Sequence, residues 1–345
     1  MNKTILPLVR KNIAALTPYS TARDEYTGPV GIFLDANESP YENGYNRYPD
    51  PHQKALKEQI SHLKGLPVEN IFLGNGSDEA IDLVFRVFCN PGEDNVVAIS
   101  PSYGMYGVAA AINDVSVRNV PLDADFGLPV ENLLAACDGR TKAIFLCSPN
   151  NPSGNAFEIS LLESVLDRFP GIVVVDEAYV DFSAKGSLVP QVTQRSNLIV
   201  LQTLSKAWGM AGLRLGMAFS SAEIIRYLSM VKYPYNISRA VMEKVTALLR
   251  EPVADRVATI VAERDRLAAL LVDFPGVEKV YPSDANFLLV KTSDADALYE
   301  YLLSRGIIVR NRTRVPGCAG CLRLTVGLPE ENRRLEEALA EWTNQ

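Results

Sequence analysis

The feature that most constrains the fold is a series of short apolar segments between residues 71 and 201, separated by amphipathic stretches. Continuous apolar runs of three to five residues are typical of strands that are buried on both faces. Their alternation with helical patterns predicts βαβ units and an α/β fold, with a mainly parallel sheet flanked by helices. The segments are Ile71–Leu73, Val96–Ile99, Ala143–Cys147, Ile172–Val175 and Leu198–Leu201.

Helix candidates lie between these segments, at Ser77–Phe88 and Ile159–Arg168, and the first begins with a Ser-Asp pair suited to capping. In open parallel sheets, ligands bind beyond the carboxyl ends of the strands. Polar clusters follow nearly every apolar segment of this chain, so we expect a ligand site at that edge of the sheet.

The chain after residue 254 has a different order of elements, which predicts a smaller α+β lobe. Helical patterns cover Ala254–Val272, Ala295–Arg305 and about Glu330–Trp342. The strand candidates are Val277–Tyr281, Phe287–Lys291, Gly306–Arg310 and Cys321–Val326. We therefore expect residues 41–250 to form a large ligand-binding domain, residues 251–345 a small domain, and residues 1–40 an N-terminal arm with part of the small domain.

Length and charge exclude several classes of function. A chain of 345 residues has room for two compact units. Its formal net charge of -7 argues against a general nucleic-acid binder. It has neither a signal-peptide pattern nor an apolar run of about 18 residues, so we expect a cytoplasmic protein. Five cysteines form no disulfide framework, and Cys318-Ala-Gly-Cys321 lies far from His52 and His62, so no metal site is expected.

One lysine stands out by its neighbours. Lys206 follows a buried strand candidate and lies among small residues, in Thr203-Leu-Ser-Lys-Ala-Trp-Gly-Met-Ala-Gly-Leu-Arg-Leu-Gly216. Burial at this position would lower the pKa of the ammonium group and leave a nucleophilic amine. Such an amine is what Schiff-base chemistry requires.

Asp176 follows the apolar segment Ile172–Val175 directly. An isolated carboxylate at the end of a buried strand is most simply a helix N-cap or one half of a structural ion pair. The alternative is a partner for the protonated ring nitrogen of a ligand, which keeps the ring an electron acceptor. Tyr179, three residues later, and Lys206, after the next strand, favour the alternative.

The segment Gly74-Asn-Gly-Ser-Asp-Glu79 ends a strand and begins a helix, so the backbone N–H groups of Gly76, Ser77 and Asp78 could hold a phosphate. The third glycine of G-x-G-x-x-G is missing, which favours a small monophosphate over a dinucleotide. Arg214 could add a charge-assisted hydrogen bond to that phosphate.

Two more loops could complete the pocket. Asn151 lies in Ser148-Pro-Asn-Asn-Pro-Ser-Gly154, where it could donate an amide hydrogen bond, although the segment also has ordinary turn chemistry. Tyr103 follows Pro101-Ser and could cover a flat ligand, although an aromatic residue on its own at this position is more often a packing residue.

Over almost its whole length the chain resembles the fold-type I pyridoxal-phosphate aminotransferases. The most specific match is Thr203–Gly212, which resembles the lysine signature of the class-II group. Within that group the chain is most similar to the histidinol-phosphate aminotransferases. The segments that carry this similarity are Pro18-Tyr-Ser-Thr-Ala-Arg23, Leu34-Asp-Ala-Asn-Glu-Ser-Pro40, Asn46-Arg-Tyr-Pro-Asp50, Gly74–Glu79 and Cys321-Leu-Arg-Leu-Thr-Val-Gly327.

The resemblance implies a fold with a seven-stranded sheet, pyridoxal 5'-phosphate as cofactor, and a role for each matched residue. Lys206 would carry the cofactor as a Schiff base and act as general base, Asp176 would pair with the ring nitrogen, and Tyr103 would stack on the ring. Asn151 and Tyr179 would hydrogen-bond the 3-oxygen of the ring. The phosphate would be held by Gly76, Ser77, Asp78, Ser205, Arg214 and, from the neighbouring subunit of a homodimer, Tyr48. The substrate would be contacted by Tyr19, Asn151, Arg310 and Arg323.

The position of one substrate arginine depends on where a strand ends. Arg310, Arg312 and Arg314 alternate, and only some of them can face the pocket. Arg310 follows Gly306-Ile-Ile-Val309 directly, so we assign it to the site and the other two to solvent.

The resemblance implies amino transfer between glutamate and histidinol phosphate in histidine biosynthesis. An aromatic aminotransferase and a phospho-amino-acid decarboxylase of the same fold are the alternatives. A non-catalytic binding module is disfavoured because Lys206, Asp176 and Arg214 are all present.

Overall fold

A computed structural model of the chain describes residues 4–20 and 31–342. Within these residues the larger sheet has seven strands in the order β1-β7-β6-β5-β4-β2-β3. The strands are β1 (Ile71–Asn75), β2 (Asn95–Ser100), β3 (Ser116–Pro121), β4 (Thr141–Cys147), β5 (Ile172–Asp176), β6 (Leu198–Thr203) and β7 (Leu215–Ser220). Neighbouring strands are parallel except at β7, which runs antiparallel to β1 and β6. The predicted mainly parallel sheet is confirmed.

The direction of β7 affects the site. Since the other strands run the same way, their carboxyl ends meet at one edge of the sheet, and β7 begins at that edge. All five predicted apolar segments lie in strands, whereas β3 and β7 were not predicted. Most of β3 is exposed and polar, and β7 directly follows the lysine stretch, so neither reads as a separate apolar run.

Helices cover both faces of the sheet. They are α1 (Lys11–Ala14), α2 (Lys54–Lys64), α3 (Ser77–Phe88), α4 (Met105–Ile112), α5 (Val130–Ala135), α6 (Ile159–Arg168), α7 (Ala222–Val231) and α8 (Arg239–Leu248). Alternate residues of β5 enter two separate hydrophobic clusters, Val173 and Val175 on one face and Ile172 and Val174 on the other. With both faces covered, the edge of the sheet is the part open to a ligand.

The second sheet forms the predicted smaller α+β lobe. Its order is β10-β11-β9-β8, and all its pairings are antiparallel. Its strands are β8 (Val277–Val280), β9 (Phe287–Thr292), β10 (Arg310–Asn311) and β11 (Cys321–Thr325). The helices of this part of the chain are α9 (Ala254–Val272), α10 (Ala295–Ser304) and α11 (Pro329–Trp342). The domain bounds near residues 40 and 250 stay a prediction.

One predicted strand of this lobe is displaced. The sequence predicts a strand over Gly306–Arg310, but β10 begins at Arg310. Gly306 adopts a left-handed φ of 73° after α10, and Ile308 is 80% exposed. Residues 307–309 therefore lead into the sheet without pairing in it.

Among residues 4–20 and 31–342, every helix is too short or too polar to cross a membrane. The five cysteines are free thiols, and Cys318 and Cys321 are both buried.

Candidate active site

The turn between β1 and α3 has the form of an anion cradle. Gly76 precedes the helix with a φ of 76°, and no side chain caps the helix there, so Ser77 is the first helical residue rather than the cap. The first amides of a helix have no partner within it and carry the positive end of its dipole. The Gly76 N–H donates to the Arg214 carbonyl oxygen at 2.7 Å, which ties the cradle to the start of β7.

Arg214 brings a positive charge to this cradle. Its backbone has a left-handed φ of 55°, a costly conformation for a residue other than glycine. Its guanidinium Nη2 lies 3.6 Å from Asp78 Oδ2, and half of its side chain is exposed. The Tyr103 hydroxyl donates to the other Asp78 oxygen at 3.0 Å. A cationic side chain beside uncapped helix amides is suited to binding a phosphate.

Lys206 lies in the loop between β6 and β7. That loop is closed at its base by the Leu204 N–H, which donates to the Leu215 carbonyl oxygen at 3.1 Å. Lys206 is accessible in the pocket rather than buried, and its Nζ is 5.4 Å from the centre of the Tyr179 ring. The protein atoms around it still desolvate the amine, which lowers the pKa of Lys206, and the charge of Arg323 lowers it further. The predicted lowering of the Lys206 pKa by desolvation agrees with the structure.

Asp176 ends β5 and is 2% exposed. Its Oδ2 accepts a hydrogen bond from the Tyr106 hydroxyl at 2.8 Å, and its Oδ1 accepts one from the Ala178 N–H at 3.1 Å. Burial raises the pKa of Asp176 to about 6, and these two hydrogen bonds oppose that rise. Within the described residues it caps no helix and joins no ion pair, so the two structural alternatives are not what the structure shows.

A pocket of about 150 Å³ joins these groups. It brings together most of the predicted cofactor residues from the ends of β1, β2, β4, β5 and β6 and the start of β7. Its lining comprises Gly76, Ser77, Asp78, Tyr103, Cys147, Asn151, Asp176, Ala178, Tyr179, Thr203, Ser205, Lys206, Ala211 and Arg214.

Arginines of the small sheet extend this pocket. Arg323 donates from Nη1 to the Asn151 amide oxygen at 2.5 Å, and its guanidinium lies 5.2 Å from the centre of the Phe287 ring. Arg310 is directly opposite Arg323 in the β10–β11 ladder, so the two side chains share a face, although Arg310 is exposed. Arg310 also lines a separate surface depression with Asp296 and Glu300.

Arg312 differs from its expected solvated position. Its N–H donates to the Cys321 carbonyl oxygen at 2.8 Å, which extends the ladder and places Arg312 on the same face as Arg310 and Arg323. It is half-buried, and its Nε is buried without a hydrogen-bond partner. Burial lowers the pKa of Arg312, and the charges of Arg323 and Arg310 lower it further. Arg314 is exposed, as expected.

Four predicted residues lie outside the pocket lining: Tyr19, Tyr48, Arg310 and Arg323. Tyr19 is 76% exposed, and residues 21–23 of its motif lie outside the described part of the chain. Tyr48 is 49% exposed, with its ring stacked on Tyr235 at a centroid distance of 4.4 Å. Tyr48 is expected to act on a neighbouring subunit, and its role stays a prediction, as do the roles of the other predicted site residues.

Comparison with known proteins decides the family. The family model for aminotransferase class I and II matches residues 34–339. The chain belongs to this family. It is 54% identical to a histidinol-phosphate aminotransferase of Parabacteroides distasonis over 98% of each chain. It is 51% identical to one of Bacteroides thetaiotaomicron over 99% of each chain.

Solved structures confirm the fold of this aminotransferase. The histidinol-phosphate aminotransferase of Clostridium acetobutylicum matches with a TM-score of 0.79 at 24% identity, covering 86% of this chain and 91% of the other. That of Sinorhizobium meliloti in complex with pyridoxal-5'-phosphate matches with a TM-score of 0.78 at 24% identity, covering 86% and 82%.

The sequence did not single out Tyr106 or Arg312 for this aminotransferase. Tyr106 lies three positions after Tyr103, a spacing that places two aromatic rings on one side of a helical turn. That spacing is a usable signal, although it is equally typical of core packing. For Arg312 the signal was the alternation of arginines itself, which does not determine which of them faces the pocket.

Proposed function

We propose that this aminotransferase transfers an amino group between glutamate and histidinol phosphate, in histidine biosynthesis, with pyridoxal 5'-phosphate as cofactor. The observation that carries the substrate is the 54% identity, over 98% of both chains, to a relative named for that reaction. Fold alone does not fix a substrate, so the arrangement of the site must also suit it.

The pocket residues fit the cofactor. The uncapped amides of α3, Ser205 and Arg214 are suited to its phosphate, and Lys206 is an accessible amine for its aldehyde. Asp176 is an acceptor for a ring nitrogen, and Tyr103 can cover the ring. When bound, the cofactor supplies an electron-accepting ring that stabilises negative charge on the substrate.

The chain's own residues would handle the proton. Because the pKa of Lys206 is lowered, a larger fraction of its amine is neutral near pH 7 and can accept a proton from the substrate α-carbon. Asn151 and Tyr179 would hydrogen-bond the 3-oxygen of the cofactor ring. Asn151 also holds Arg323, which connects cofactor binding to substrate binding.

The arginines of the small lobe suit both substrates. A guanidinium binds either a carboxylate or a phosphate with two parallel hydrogen bonds. Arg323, Arg310 and Arg312 share one face of the β10–β11 ladder. One cationic surface can thus receive the side-chain carboxylate of glutamate in one half-reaction and the phosphate of histidinol phosphate in the other.

We further propose that the enzyme is a cytoplasmic homodimer whose active site is shared. The exposed position of Tyr48, away from the pocket of its own chain, supports a role in the pocket of a second subunit. The five free thiols suit a reducing compartment.

The test is a comparison of substrates. The purified protein should be yellow, and the colour should change on addition of glutamate or histidinol phosphate, whereas Lys206→Ala should show no turnover. Turnover should be much faster with histidinol phosphate than with phenylalanine, and phosphothreonine should not be decarboxylated. Absence of turnover with histidinol phosphate in a protein that is otherwise an active aminotransferase would refute the substrate, and a colourless protein would refute the cofactor.

A further inference from the structure

The side chain of Asp176 points towards one particular helix. Along β5, Ile172 and Val174 enter the hydrophobic cluster on the face that α4 covers. Side chains of a strand alternate between faces, so Asp176 lies on the same face. The carboxylate is therefore placed at the end of a row of apolar side chains, against α4.

Tyr106, in the first turn of α4, meets this carboxylate. It is 2% exposed, and its hydroxyl donates to Asp176 Oδ2 at 2.8 Å. Its ring is stacked on Phe145 at a centroid distance of 5.0 Å and meets Tyr103 edge-on at 5.7 Å. These two aromatic contacts leave the ring little freedom, so the direction of the hydroxyl is fixed by packing.

The hydroxyl of Tyr106 can act only as a neutral donor. Complete burial and the nearby Asp176 charge raise the pKa of Tyr106 well above its ordinary value of 10. Each Asp176 oxygen thus has one donor, Tyr106 for Oδ2 and Ala178 for Oδ1. The other titratable groups whose charges act on this site are Asp78, Cys147, Tyr103, Tyr179 and Lys206.

We propose that Tyr106 is a positioning residue, whose hydroxyl keeps the Asp176 carboxylate ionised and aimed at the ring nitrogen of bound pyridoxal phosphate. A buried carboxylate without this donor gains a proton more readily, and a protonated carboxyl no longer attracts a proton onto the ring. The proposal rests on the proposed cofactor but not on the proposed substrate.

The first test removes the hydroxyl and keeps the ring. In the cofactor-free protein, the titration of Asp176 is followed by ¹³C NMR of labelled aspartate, with the signal assigned by its loss in Asp176→Asn. Tyr106→Phe should raise the midpoint of that titration by about one pH unit, since one hydrogen bond to the charged form is lost. Tyr227→Phe is the matched control, because Tyr227 is buried in the same cluster but does not line the pocket.

The second test measures the cofactor itself. Tyr106→Phe should bind pyridoxal phosphate about tenfold more weakly, and the absorption of the bound cofactor should depend on pH differently from that of the wild type. Replacement of Tyr106 by para-aminophenylalanine, which retains a donor, should restore both properties. Replacement by para-fluorophenylalanine, which has similar size but no donor, should not. This pair keeps the test valid where Tyr106→Phe fails to fold.

The results separate positioning from packing. An unchanged Asp176 titration and unchanged cofactor affinity, together with a lower melting temperature, would overturn the proposal and leave Tyr106 a packing residue. Equal behaviour of the para-amino and para-fluoro proteins would overturn it as well. A wild-type protein that binds no pyridoxal phosphate would instead refute the proposed function, while the Asp176 titration would still report on the hydrogen bond.

Discussion

Arg310, Arg312 and Arg323 form a group of positive charges without a matching negative charge. Among the described residues no carboxylate pairs with any of them, and Arg323 has the neutral Asn151 amide as its partner. The charges of Arg323 and Arg310 lower the pKa of Arg312, and the charge of Arg310 lowers the pKa of Arg323, which means that their proximity costs free energy in the protein without ligand. A bound dianion would relieve that cost more than a single carboxylate would.

At the scale of the residue, we expect Arg312 to contribute more to the binding of histidinol phosphate than to the binding of glutamate. Arg312→Gln should raise the KM for histidinol phosphate roughly tenfold, equivalent to about 1.4 kcal/mol, with a smaller rise in the KM for glutamate. The reason is that the phosphate carries more charge than the carboxylate. Steady-state kinetics with each substrate varied in turn measures both values.

Arg314→Gln supplies the control for this prediction, since Arg314 is on the same segment but is exposed. It should leave both KM values unchanged. Equal effects of the two substitutions, or equal effects of Arg312→Gln on both substrates, would contradict a specific role for Arg312.

Site residues could be predicted from the sequence where their position relative to a strand end determined their position in the fold. Asp176 ends the buried strand β5, and Lys206 lies three residues after the end of β6. Since parallel strands end at one edge of the sheet, their meeting could be expected. Arg312 could not be assigned because Ile307, Ile308 and Val309 have the composition of a strand but lie before β10, outside the sheet. Tyr106 could not be distinguished from a core residue, because its hydroxyl acts on a group 70 positions away in the chain.

At the scale of the element, the contact between β7 and the start of α3 is very close. A Cβ added to Gly216 would lie 2.1 Å from the Ser77 nitrogen and 2.2 Å from the Gly76 carbonyl carbon, and both are backbone atoms. These atoms cannot move aside as a side chain can. The absence of a side chain at Gly216 therefore lets the strand pack against the anion cradle.

Gly216→Ala should push the cradle away from β7. We expect a loss of roughly 1–3 kcal/mol in the free energy of unfolding, as for overpacked cores, and weaker binding of pyridoxal phosphate. Denaturant unfolding and cofactor titration measure the two effects. Gly212→Ala is the control, because a Cβ there meets no atom within 4 Å. Similar losses in both variants would show that the close contact is not the cause.

Strands of the larger sheet were predicted where they are uniformly apolar. Strand β5 is buried along its whole length, and its composition predicts it. Strand β3 is largely exposed at the edge of the sheet and has mixed polarity. It is held by backbone hydrogen bonds to β2, which cannot be predicted from its composition. Strand β7 follows the loop that carries Lys206 without a break in composition. Where the strand begins is set by its antiparallel pairing with β6, which is a tertiary contact.

At the scale of the whole molecule, the proposed homodimer makes a prediction about mixed dimers. Lys206→Ala abolishes the amine of one site, and Tyr48→Phe weakens the phosphate contact of the other subunit's site. Each proposed site takes Lys206 from one subunit and Tyr48 from the other. In a hybrid of the two variants, both substitutions therefore fall in one site, and the other site has neither. Mixed and reassembled protein, assayed at limiting cofactor, should therefore regain about a quarter of the wild-type rate, since random pairing makes about half of the dimers hybrid.

The parent proteins assayed alone under the same conditions are the reference. A mixture no more active than the average of the two parents would show that Tyr48 serves the pocket of its own chain, or that the chains do not exchange. Size-exclusion chromatography of a mixture carrying two distinguishable tags separates those two outcomes.

The loop between β6 and β7 has a consequence for which cofactors fit. Lys206 and Arg214 are eight positions apart, and the hydrogen bond between Leu204 and Leu215 closes the loop that carries both. The amine and the guanidinium are thus fixed to one short closed stretch of backbone, not to separate domains. The group that would hold an aldehyde and one of the groups that would hold a phosphate therefore depend on the same loop. An insertion or deletion between residues 204 and 215 would disturb both contacts of the cofactor at once.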